Sequence, residues 1–435
     1  MRRMPALRRG LLAAVAFVLA GMVGVVAYAA PRTTAPRQVS GTIVVWDFVK
    51  QDQTPEGDAL FSKKYPNVTV KHVLQPLAGY FQLVAASLAA HSGPDVIELS
   101  AGGALQPYIP ALENLTSYIP RSLKNEISPS QWVMVSKNFD QSQGIYGAPL
   151  DKFGFVWWYN KKLFKQAGLD PSRPPSSWPE LKAAAKKLKA AGITPFAGGD
   201  KTGNLGAIWF DALAGMTLKP KQAYQLGNGT LKFSSPVVKR VFQQYLQIAN
   251  AGWFQDTWRT DINGVQAPAV FASGRAAMIV QGPGYFPVFN PALGYRNVGV
   301  FQTPGFTPGN KPNFLAFSAG LSYSVNKNSS NKNAAAAYAL FKVSAEMEQL
   351  DMNRQGRLPT NNKVSPGPTA PPQVRQIVAT QKSAKTIVPY LVALWPAAVQ
   401  TAVYMNLPQV VGRRMSLDAA LADIDAVYAR LPKNP

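Results

Sequence analysis

Residues 147–160 of this chain read GAPLDKFGFVWWYN. This stretch places five aromatic rings in fourteen residues, directly behind an Asp-Lys pair. Large side chains occur on both faces at period two, which predicts a strand buried on both sides of a sheet. Trp157 and Trp158 would point to opposite faces of that strand, so at least one of them belongs to the core. The rings could serve packing, a membrane, nucleic acid or a flat apolar ligand.

Strands and helices alternate around this stretch. Three segments rich in β-branched residues, 42–48, 65–74 and 94–100, predict short buried strands. Asn160 is placed to cap a short helix, and residues 177–180 form a capping box with proline in the first turn. Repeated strands followed by helices predict an α/β architecture.

The second half of the chain continues the pattern. Residues 314–327 (FLAFSAGLSYSVNK) predict one strand of small residues, and Ser330 is expected to cap the alanine-rich helix after it. Residues 358–372 form a long proline-rich loop. Ser416 is expected to cap a C-terminal helix of regular apolar spacing.

Composition excludes several classes of function. The chain has 435 residues, enough for two domains, and no cysteine, which excludes disulfides, thiolate catalysis, iron–sulfur clusters and Cys-type zinc sites. It has only two histidines, His72 and His91, far apart in the chain, which argues against a histidine metal site or a catalytic triad. The net charge of +23 is spread in pairs such as Lys63-Lys64, without a long run, so it indicates a solvated basic surface rather than a nucleic-acid site.

The N-terminus predicts export. Four arginines precede an apolar stretch at residues 11–26, and Ala27-Tyr28-Ala29 provides small residues for cleavage. We therefore expect a signal peptide at residues 1–29 and a polar linker at residues 30–40. The apolar stretch is about long enough to span a bilayer, so an uncleaved anchor is the alternative. In either case the folded chain works outside the cytoplasmic membrane, secreted or at the cell surface or periplasm.

Motifs for nucleotide cofactors and for serine hydrolysis are absent from the sequence, and we expect neither cofactor nor metal. Four acids instead follow predicted strands or border aromatic clusters: Asp47, Glu98, Asp151 and Asp211. Ligands in open α/β sheets bind outside the carboxyl ends of strands. Each acid alone could equally be a helix cap or a solvated charge. Aromatic rings beside carboxylates suit a sugar, whose CH face stacks while its hydroxyls donate.

An ordered set of segments carries a family resemblance from residue 41 to about residue 432. The segments are GTIVVWDF, FSKKYPNVTV, SGPDVIEL, LENLTSYI, GIYGAPLDKFGFVWWYNKKLFKQAGLD, PSSWPELKAAAKKL, FASGRAAMIVQGPGY, GLSYSVNKNSSNKNAAAAYALF and GRLPT. Together they resemble the extracellular solute-binding proteins of ABC importers, family 1, the sugar-binding group that includes maltose-binding protein. The resemblance implies a type II periplasmic-binding-protein fold, in which two α/β lobes joined by a hinge enclose a ligand cleft.

The resemblance also implies lobe boundaries. The N-terminal lobe is expected to comprise residues 41–150 and 283–346, and the C-terminal lobe residues 151–282 and 347–435. The chain is expected to cross between the lobes near residues 149–151, 281–284 and 346–351.

Ligand contacts are likewise inferred from the resemblance and from the positions after strands. Phe153 stands where maltose-binding protein has a glutamate, and Asp151 lies two residues earlier. The aromatic residue of the returning hinge is displaced by one position, to Tyr285, by Gly284. The full predicted set is Trp46, Asp47, Phe48, Glu98, Ser100, Asp151, Lys152, Phe153, Trp209, Asp211, Tyr285 and Trp395.

Three functions remain open at this stage. The favoured one is a monomeric, non-enzymatic receptor that delivers a sugar or oligosaccharide to ABC transporter permease subunits. A second is a receptor for an anionic solute such as a glycerol phosphodiester or sugar phosphate, which a basic residue in the cleft, for instance Lys152, would favour. The third is a secreted glycoside hydrolase, which needs two carboxylates facing each other across the scissile bond.

Overall fold

The computed structural model describes residues 39–431 except 50–52, 78, 261, 263 and 265. The expected signal peptide, and the expected linker up to residue 38, lie outside the described residues. The strands are β1 (Gly41–Asp47), β2 (Val68–Leu74), β3 (Val96–Ser100), β4 (Ala148–Pro149), β5 (Lys152–Phe153), β6 (Val156–Asn160), β7 (Thr194–Phe196), β8 (Ala276–Gln281), β9 (Val298–Phe301), β10 (Leu315–Ala316), β11 (Ser318–Ala319), β12 (Leu321–Val325) and β13 (Ile387–Val388).

Helices follow most of the strands, as the predicted α/β class requires, and that prediction is confirmed. The helices are α1 (Pro55–Lys64), α2 (Tyr80–Ala89), α3 (Arg121–Glu126), α4 (Pro129–Val133), α5 (Lys161–Gln166), α6 (Trp178–Ala190), α7 (Leu205–Thr217), α8 (Pro220–Gly227), α9 (Pro236–Asn250), α10 (Ala267–Ala272), α11 (Phe286–Leu293), α12 (Lys332–Phe341), α13 (Ala345–Gln355), α14 (Pro372–Ser383), α15 (Leu391–Leu394), α16 (Ala397–Val411) and α17 (Leu417–Arg430).

Capping explains several helix starts. Asn160 Oδ1 accepts from the amides of Lys162 and Leu163, which starts α5 as predicted. Ser177 Oγ accepts from the Glu180 amide at the start of α6. The Ser416 cap of α17 is also confirmed. The expected cap at Ser330 is wrong, because α12 begins later, at Lys332.

Two larger sheets organise the described residues. The first has the order β2-β1-β3-β12-β4, with β1 parallel to β2 and β3, and β12 antiparallel to β3 and β4. The second has the order β7-β8-β6-β9, with β6 antiparallel to both neighbours. Two further pairs lie outside these sheets, antiparallel β5–β11 and parallel β10–β13. The small-residue strand predicted at 314–327 is therefore divided into three, because each piece pairs with a different partner.

Each sheet has its own hydrophobic core. The first core packs around the five-stranded sheet and includes Ile43, Val96 and Tyr323. The second core covers both faces of the four-stranded sheet, with Trp157 on one face and Trp158 on the other. The chain thus builds two separately packed regions, each around one sheet.

The chain passes between the two cores at three places. Leu150 packs in the first core and Val156 in the second. Phe317 packs in the second core, and Ala319, two residues later, in the first. Met347 packs in the first core and Met352 in the second, which places the third passage inside α13. We call these the first, second and third passages.

The second passage corrects a prediction. The sequence places a crossing near residues 281–284, but α11 and β9, which follow, stay with the second core. Val300 of β9 pairs with Trp158 of β6. The Gly-Pro turn after β8 looks like an exit from the sheet but instead opens a helix that covers it. The segment at 286–317, expected in the N-terminal lobe, therefore packs on the four-stranded sheet, and the lobe boundaries otherwise stay a prediction.

The opening aromatic run is largely core. Trp157 is fully buried, with its ring centroid 5.1 Å from that of Trp209 and 5.7 Å from that of Phe301. Trp158 is fully buried on the opposite face, 5.4 Å from Phe289. Trp158 Nε1 donates to the carbonyl of Gln281 at 3.2 Å. Trp157 Nε1 has no hydrogen-bond partner within the described part of the chain.

This difference between two adjacent buried indoles predicts unequal effects of the same substitution. Trp158→Phe should lower the free energy of unfolding by about 1 kcal/mol more than Trp157→Phe, because only the former leaves a buried carbonyl without its donor. Denaturant unfolding followed by circular dichroism measures both losses. Each variant is the control for the other, since both remove the same volume from a fully buried position. Equal losses would show that the Trp158 hydrogen bond contributes nothing.

Candidate functional site

The carboxyl ends of β1 and β3 hold the first group of predicted site residues. The Glu98 carboxylate accepts from the amides of Phe48 at 2.8 Å and Val49 at 3.1 Å. The Tyr80 hydroxyl donates to the main-chain carbonyls of Glu98 and Trp46, at 2.8 and 3.2 Å. The Phe48 ring packs 4.9 Å from the ring of Tyr80. Glu98 therefore fixes the loop after β1, and this loop presents the half-buried Phe48.

Asp47 belongs to a buried network. Its Oδ1 accepts from the hydroxyl of Tyr323 at 2.5 Å, and its Oδ2 lies 2.6 Å from His72 Nδ1. His72 Nε2 lies 3.2 Å from Asp58 Oδ1. Burial lowers the pKa of His72, but the hydrogen bonds and charges of Asp47 and Asp58 outweigh it and raise that pKa to about 9. His72 is thus protonated at neutral pH, and the oxygens of Asp47 are taken up by donors of the protein itself.

The first passage positions the next three predicted residues. Lys152 donates from its amide to the carbonyl of Leu358 at 2.8 Å, and the Gly320 amide donates to the carbonyl of Asp151 at 3.2 Å. Asp151 Oδ2 lies 3.9 Å from Arg357 Nε. These bonds tie the first passage to the second passage and to the segment after α13.

Two ionisable side chains, Glu348 and Lys152, influence each other beside this passage. The buried Glu348 carboxylate accepts from Thr360 Oγ1 at 2.6 Å and from the Asn361 amide at 2.7 Å. Burial nevertheless raises the pKa of Glu348 to about 8. Burial lowers the pKa of Lys152, although the charge of Glu348 opposes this. A small cleft lies among Asp151, Glu348 and Arg357.

A bridging segment, residues 390–396, joins the two cores. Leu391 and Trp395 pack in the second core, whereas Ala393 and Leu394 pack in the first. The Asp211 carboxylate accepts from the amides of Leu391 at 2.5 Å and Val392 at 3.1 Å. Burial raises the pKa of Asp211 to about 7 even though these hydrogen bonds lower it. Asp211 therefore anchors the bridging segment to α7.

Two glycines allow the bridging segment to approach the loop after β3. Gly102 has a φ of +79°, and a Cβ built on it would lie 2.2 Å from the carbonyl oxygen of Ala393. A Cβ on Gly103 would lie 2.2 Å from the carbonyl oxygen of Trp395. Any larger residue at either position would separate the two backbones.

Two of the aromatic residues predicted to contact ligand, Trp395 and Trp209, instead have their rings inside the second core. The Trp395 ring is fully buried, 5.4 Å from Phe210 and 5.1 Å from Phe233. Trp209 is buried against Trp157 and Phe196, 5.1 Å from each. The backbone of Trp395 faces Gly103, while its indole packs away from that contact. Both indoles are used for packing in this structure.

The remaining predicted residues, Phe153, Tyr285 and Ser100, are half-buried. The Phe153 ring lies 5.5 Å from that of Tyr390, the first residue of the segment. A Cβ on Gly282 would meet the Phe153 ring at 2.5 Å, so Phe153 also contacts the turn that leads to Tyr285. Tyr285 stacks on Phe289, 6.1 Å between centroids, and burial raises its pKa. Ser100 ends β3, just before Gly102.

The structure thus gathers Ser100, Asp151, Lys152 and Phe153 around the bridging segment, and Tyr285 follows the turn that Phe153 contacts. Trp46, Phe48 and Glu98 form a separate group at the end of β1. Sequence reasoning missed Tyr390, Gly102, Gly103 and Glu348. The adjacent glycines directly after a predicted strand were a usable signal of close backbone approach, whereas Tyr390 and Glu348 had no local signal.

The described residues were expected to hold no metal, and the structure also bears on membrane-spanning helices. Among the described residues, no group of three or more His, Cys, Asp or Glu side chains is placed to hold a metal ion. No helix in the described part of the chain is long and apolar enough to cross a membrane.

Comparison with known proteins defines the class. The family model of the bacterial extracellular solute-binding proteins matches residues 46–349, which is most of the chain. The chain therefore belongs to the bacterial extracellular solute-binding protein family. The family resemblance stated from the sequence is confirmed.

Particular relatives match only in part. An uncharacterized ABC transporter extracellular-binding protein of Pyrococcus horikoshii is 29% identical over 238 residues, 52% of each chain. The sn-glycerol-3-phosphate-binding periplasmic protein of Brucella abortus is 34% identical over 140 residues, 31% of each chain. The chain thus spans about half or less of the length of these curated relatives.

Solved structures match over nearly their whole length. A protein from work on xylan utilization by Caldanaerobius polysaccharolyticus has a TM-score of 0.78 at 23% identity, covering 89% of this chain and 99% of that one. A chitin oligosaccharide binding protein has a TM-score of 0.77 at 22% identity, covering 90% and 98%. Maltose-bound MalE3 of T. maritima has a TM-score of 0.71 at 21% identity, covering 89% and 99%. At these identities the likeness establishes the fold.

The buried His72 network predicts a pH-dependent contribution to stability. The folded pKa of His72 is raised from 6.5 to about 9, so its contribution is fully present below pH 6.5 and is lost as the pH rises through about 9. His72→Gln should therefore be less stable than the wild type at pH 6, and this difference should vanish above about pH 9. Chemical denaturation at a series of pH values measures it.

The matched variant is Asp58→Asn, which removes one of the two carboxylates that raise the pKa of His72. In that variant the loss should occur at lower pH than in the wild type. A stability difference between wild type and His72→Gln that stays constant from pH 6 to pH 10 would contradict the proposed protonation.

Proposed function

We propose that this chain is an extracytoplasmic binding protein that captures a sugar or oligosaccharide between two closing lobes and delivers it to the permease of an ABC transporter. The observation that carries the proposal is the junction of the two cores, where half-buried Phe153, Tyr285 and Lys152 lie beside strand ends. Aromatic faces there suit the CH face of a pyranose, and polar side chains suit its hydroxyls. Family membership and the sugar-binding structural neighbours support this proposal.

The two cores correspond in this proposal to two lobes. The N-terminal lobe would comprise residues 41–150 and about 319–347, and the C-terminal lobe residues 151–317 and 348–431. A ligand that contacts both lobes only when they close stabilises the closed form by its differential affinity. The permease would then bind the closed form of a monomer, outside the cytoplasmic membrane. Membrane contact is limited in this proposal to the transporter or to an uncleaved N-terminal anchor.

A thermal-shift screen tests which sugars the protein binds. Xylo-, chito- and malto-oligosaccharides should raise the melting temperature, because a ligand that binds only the native state stabilises it by mass action. At a ligand concentration of 100 times Kd, the expected stabilisation is about 2.7 kcal/mol.

The same incubations test whether the protein hydrolyses these oligosaccharides. Unchanged oligosaccharides, analysed by chromatography after the screen, support a binding protein. Shortened products would favour the glycoside hydrolase. A screen in which no neutral sugar shifts the melting temperature would contradict the carbohydrate proposal.

A receptor for an anionic solute is the second candidate, and partial relatives that bind sn-glycerol-3-phosphate favour it. Lys152 is the residue in the proposed cleft that would decide between the two. If the ligand is a phosphate ester, Lys152→Gln should weaken binding by about tenfold or more, because a charge-assisted hydrogen bond to a phosphate is lost. If the ligand is a neutral sugar, the variant should change Kd by only a few fold.

Isothermal titration with the ligand found in the screen measures this effect. The matched control is Lys162→Gln, which removes the same charge from an exposed position on α5. Equal losses in both variants would indicate a general effect of net charge and would remove Lys152 from the site.

A further inference from the structure

Tyr390, which the sequence did not single out, contacts both cores. It is the first residue of the bridging segment, and among the described residues it is the one partly buried apolar or aromatic side chain that packs on the first core and also on the second. Its ring also meets the rings of Phe153 and Phe155 edge to face, with centroids 5.5 and 6.5 Å away. A ligand that touches Tyr390 would therefore touch a residue held by both cores.

The hydroxyl of Tyr390 is an available hydrogen-bond donor. Within the part of the chain that the structure describes, this hydroxyl has no hydrogen-bond partner, and its oxygen is not sealed from solvent. Burial raises the pKa of Tyr390, and the charges of Asp211, Tyr404 and Asp151 raise it further. The phenol therefore keeps its proton at neutral pH, and it lies near the carboxylate of Asp151, a predicted ligand contact.

Other buried tyrosines use their hydroxyls within the protein. The Tyr80 hydroxyl donates to the carbonyl of Glu98 at 2.8 Å, and the Tyr323 hydroxyl donates to Asp47 Oδ1 at 2.5 Å. The Tyr159 hydroxyl donates to the carbonyl of Pro171 at 2.8 Å. In these tyrosines the hydroxyl has a structural role, whereas loss of the Tyr390 hydroxyl would break no hydrogen bond of the described residues.

We propose that Tyr390 is a specificity-determining residue of the ligand site, whose hydroxyl donates a hydrogen bond to a hydroxyl of a neutral sugar bound beside Phe153. The inference rests on the proposed carbohydrate function and deepens it. A sugar hydroxyl accepts from Tyr390 and can donate its own proton to a carboxylate such as that of Asp151. A phosphate group offers acceptor oxygens only, so it would take the proton of Tyr390 but satisfy no carboxylate beside it. The pairing of a phenol with a carboxylate thus favours the neutral ligand.

Tyr390→Phe tests the proposal, because it keeps the ring and removes only the hydroxyl. Isothermal titration of the full-length wild type and variant with xylobiose, N,N′-diacetylchitobiose and maltose measures the affinities. For the disaccharide that the wild type binds most tightly, we expect the variant to bind about 3- to 10-fold more weakly, which is the range for one neutral hydrogen bond. The melting temperature of the unliganded protein should stay the same, since no internal hydrogen bond is lost. A purely structural role would lower that melting temperature instead.

The matched control is Tyr224→Phe, which removes the same hydroxyl from an exposed position on α8 and should leave every affinity unchanged. Equal affinities of wild type and Tyr390→Phe for a sugar that binds would overturn this inference and leave the carbohydrate function standing. An equal loss in both variants, or a loss accompanied by a lower melting temperature without ligand, would also overturn it. If the wild type binds none of the disaccharides, the inference and the proposed function fail together.

Discussion

The structure depends on one buried carboxylate, Asp211, and the two amides it accepts from. Leu391 and Val392 lie in the bridging segment, about 180 residues further along the chain, and their amides donate to the two oxygens of Asp211. Burial raises the pKa of Asp211 to about 7, so desolvation of the charge outweighs the two hydrogen bonds that stabilise it. A carboxylate under this strain is retained because the segment it holds contributes Ala393 and Leu394 to the first core and Trp395 to the second. Without that anchor, the contact between the two cores would lose its fixed position on α7.

Close contact between two backbones adds to the anchor that Asp211 provides for the bridging segment. The carbonyls of Ala393 and Trp395 lie where the side chains of Gly102 and Gly103 would be, so the loop after β3 and the bridging segment meet without intervening side chains. Such a contact tolerates little movement, because a shift of the cores by one methyl diameter separates the two backbones. Under the proposed function, this contact would be one of those that form when the lobes close. The Phe153 ring packs 5.5 Å from that of Tyr390, the first residue of the bridging segment, so a residue proposed to contact ligand lies next to this segment.

Local chemistry in the sequence predicts the elements and the class but not the connections between the cores. β1, β3 and β6 are recognisable because β-branched and aromatic runs favour strands, and the starts of α5 and α17 because Asn160 and Ser416 cap them. The short strands β10, β11 and β13 have two residues each and no periodicity to detect. The crossing placed near residues 281–284 was wrong for a related reason: a Gly-Pro turn looks the same whether the chain leaves a sheet or covers it.

For the site, strand-end acids were found by position, yet their partners lie far along the chain, as His72 and Tyr323 do for Asp47. Whether a tryptophan faces a ligand or a core is decided by such distant neighbours, which the local sequence does not contain.

The proposed closure would act on the passages between the cores. The first and second passages contain the two-residue strand pair β5–β11, and the third lies within α13, while each core keeps its own sheet. Buried charges lie beside the first and third passages, and burial shifts the pKa of Glu348 up and that of Lys152 down. Both shifts mean that burial disfavours the charged form of each group. In the proposed closure, the segment that Asp211 anchors on Gly102 and Gly103 is part of the contact between the cores. A ligand that contacts both cores would then stabilise the closed arrangement by its differential affinity for it.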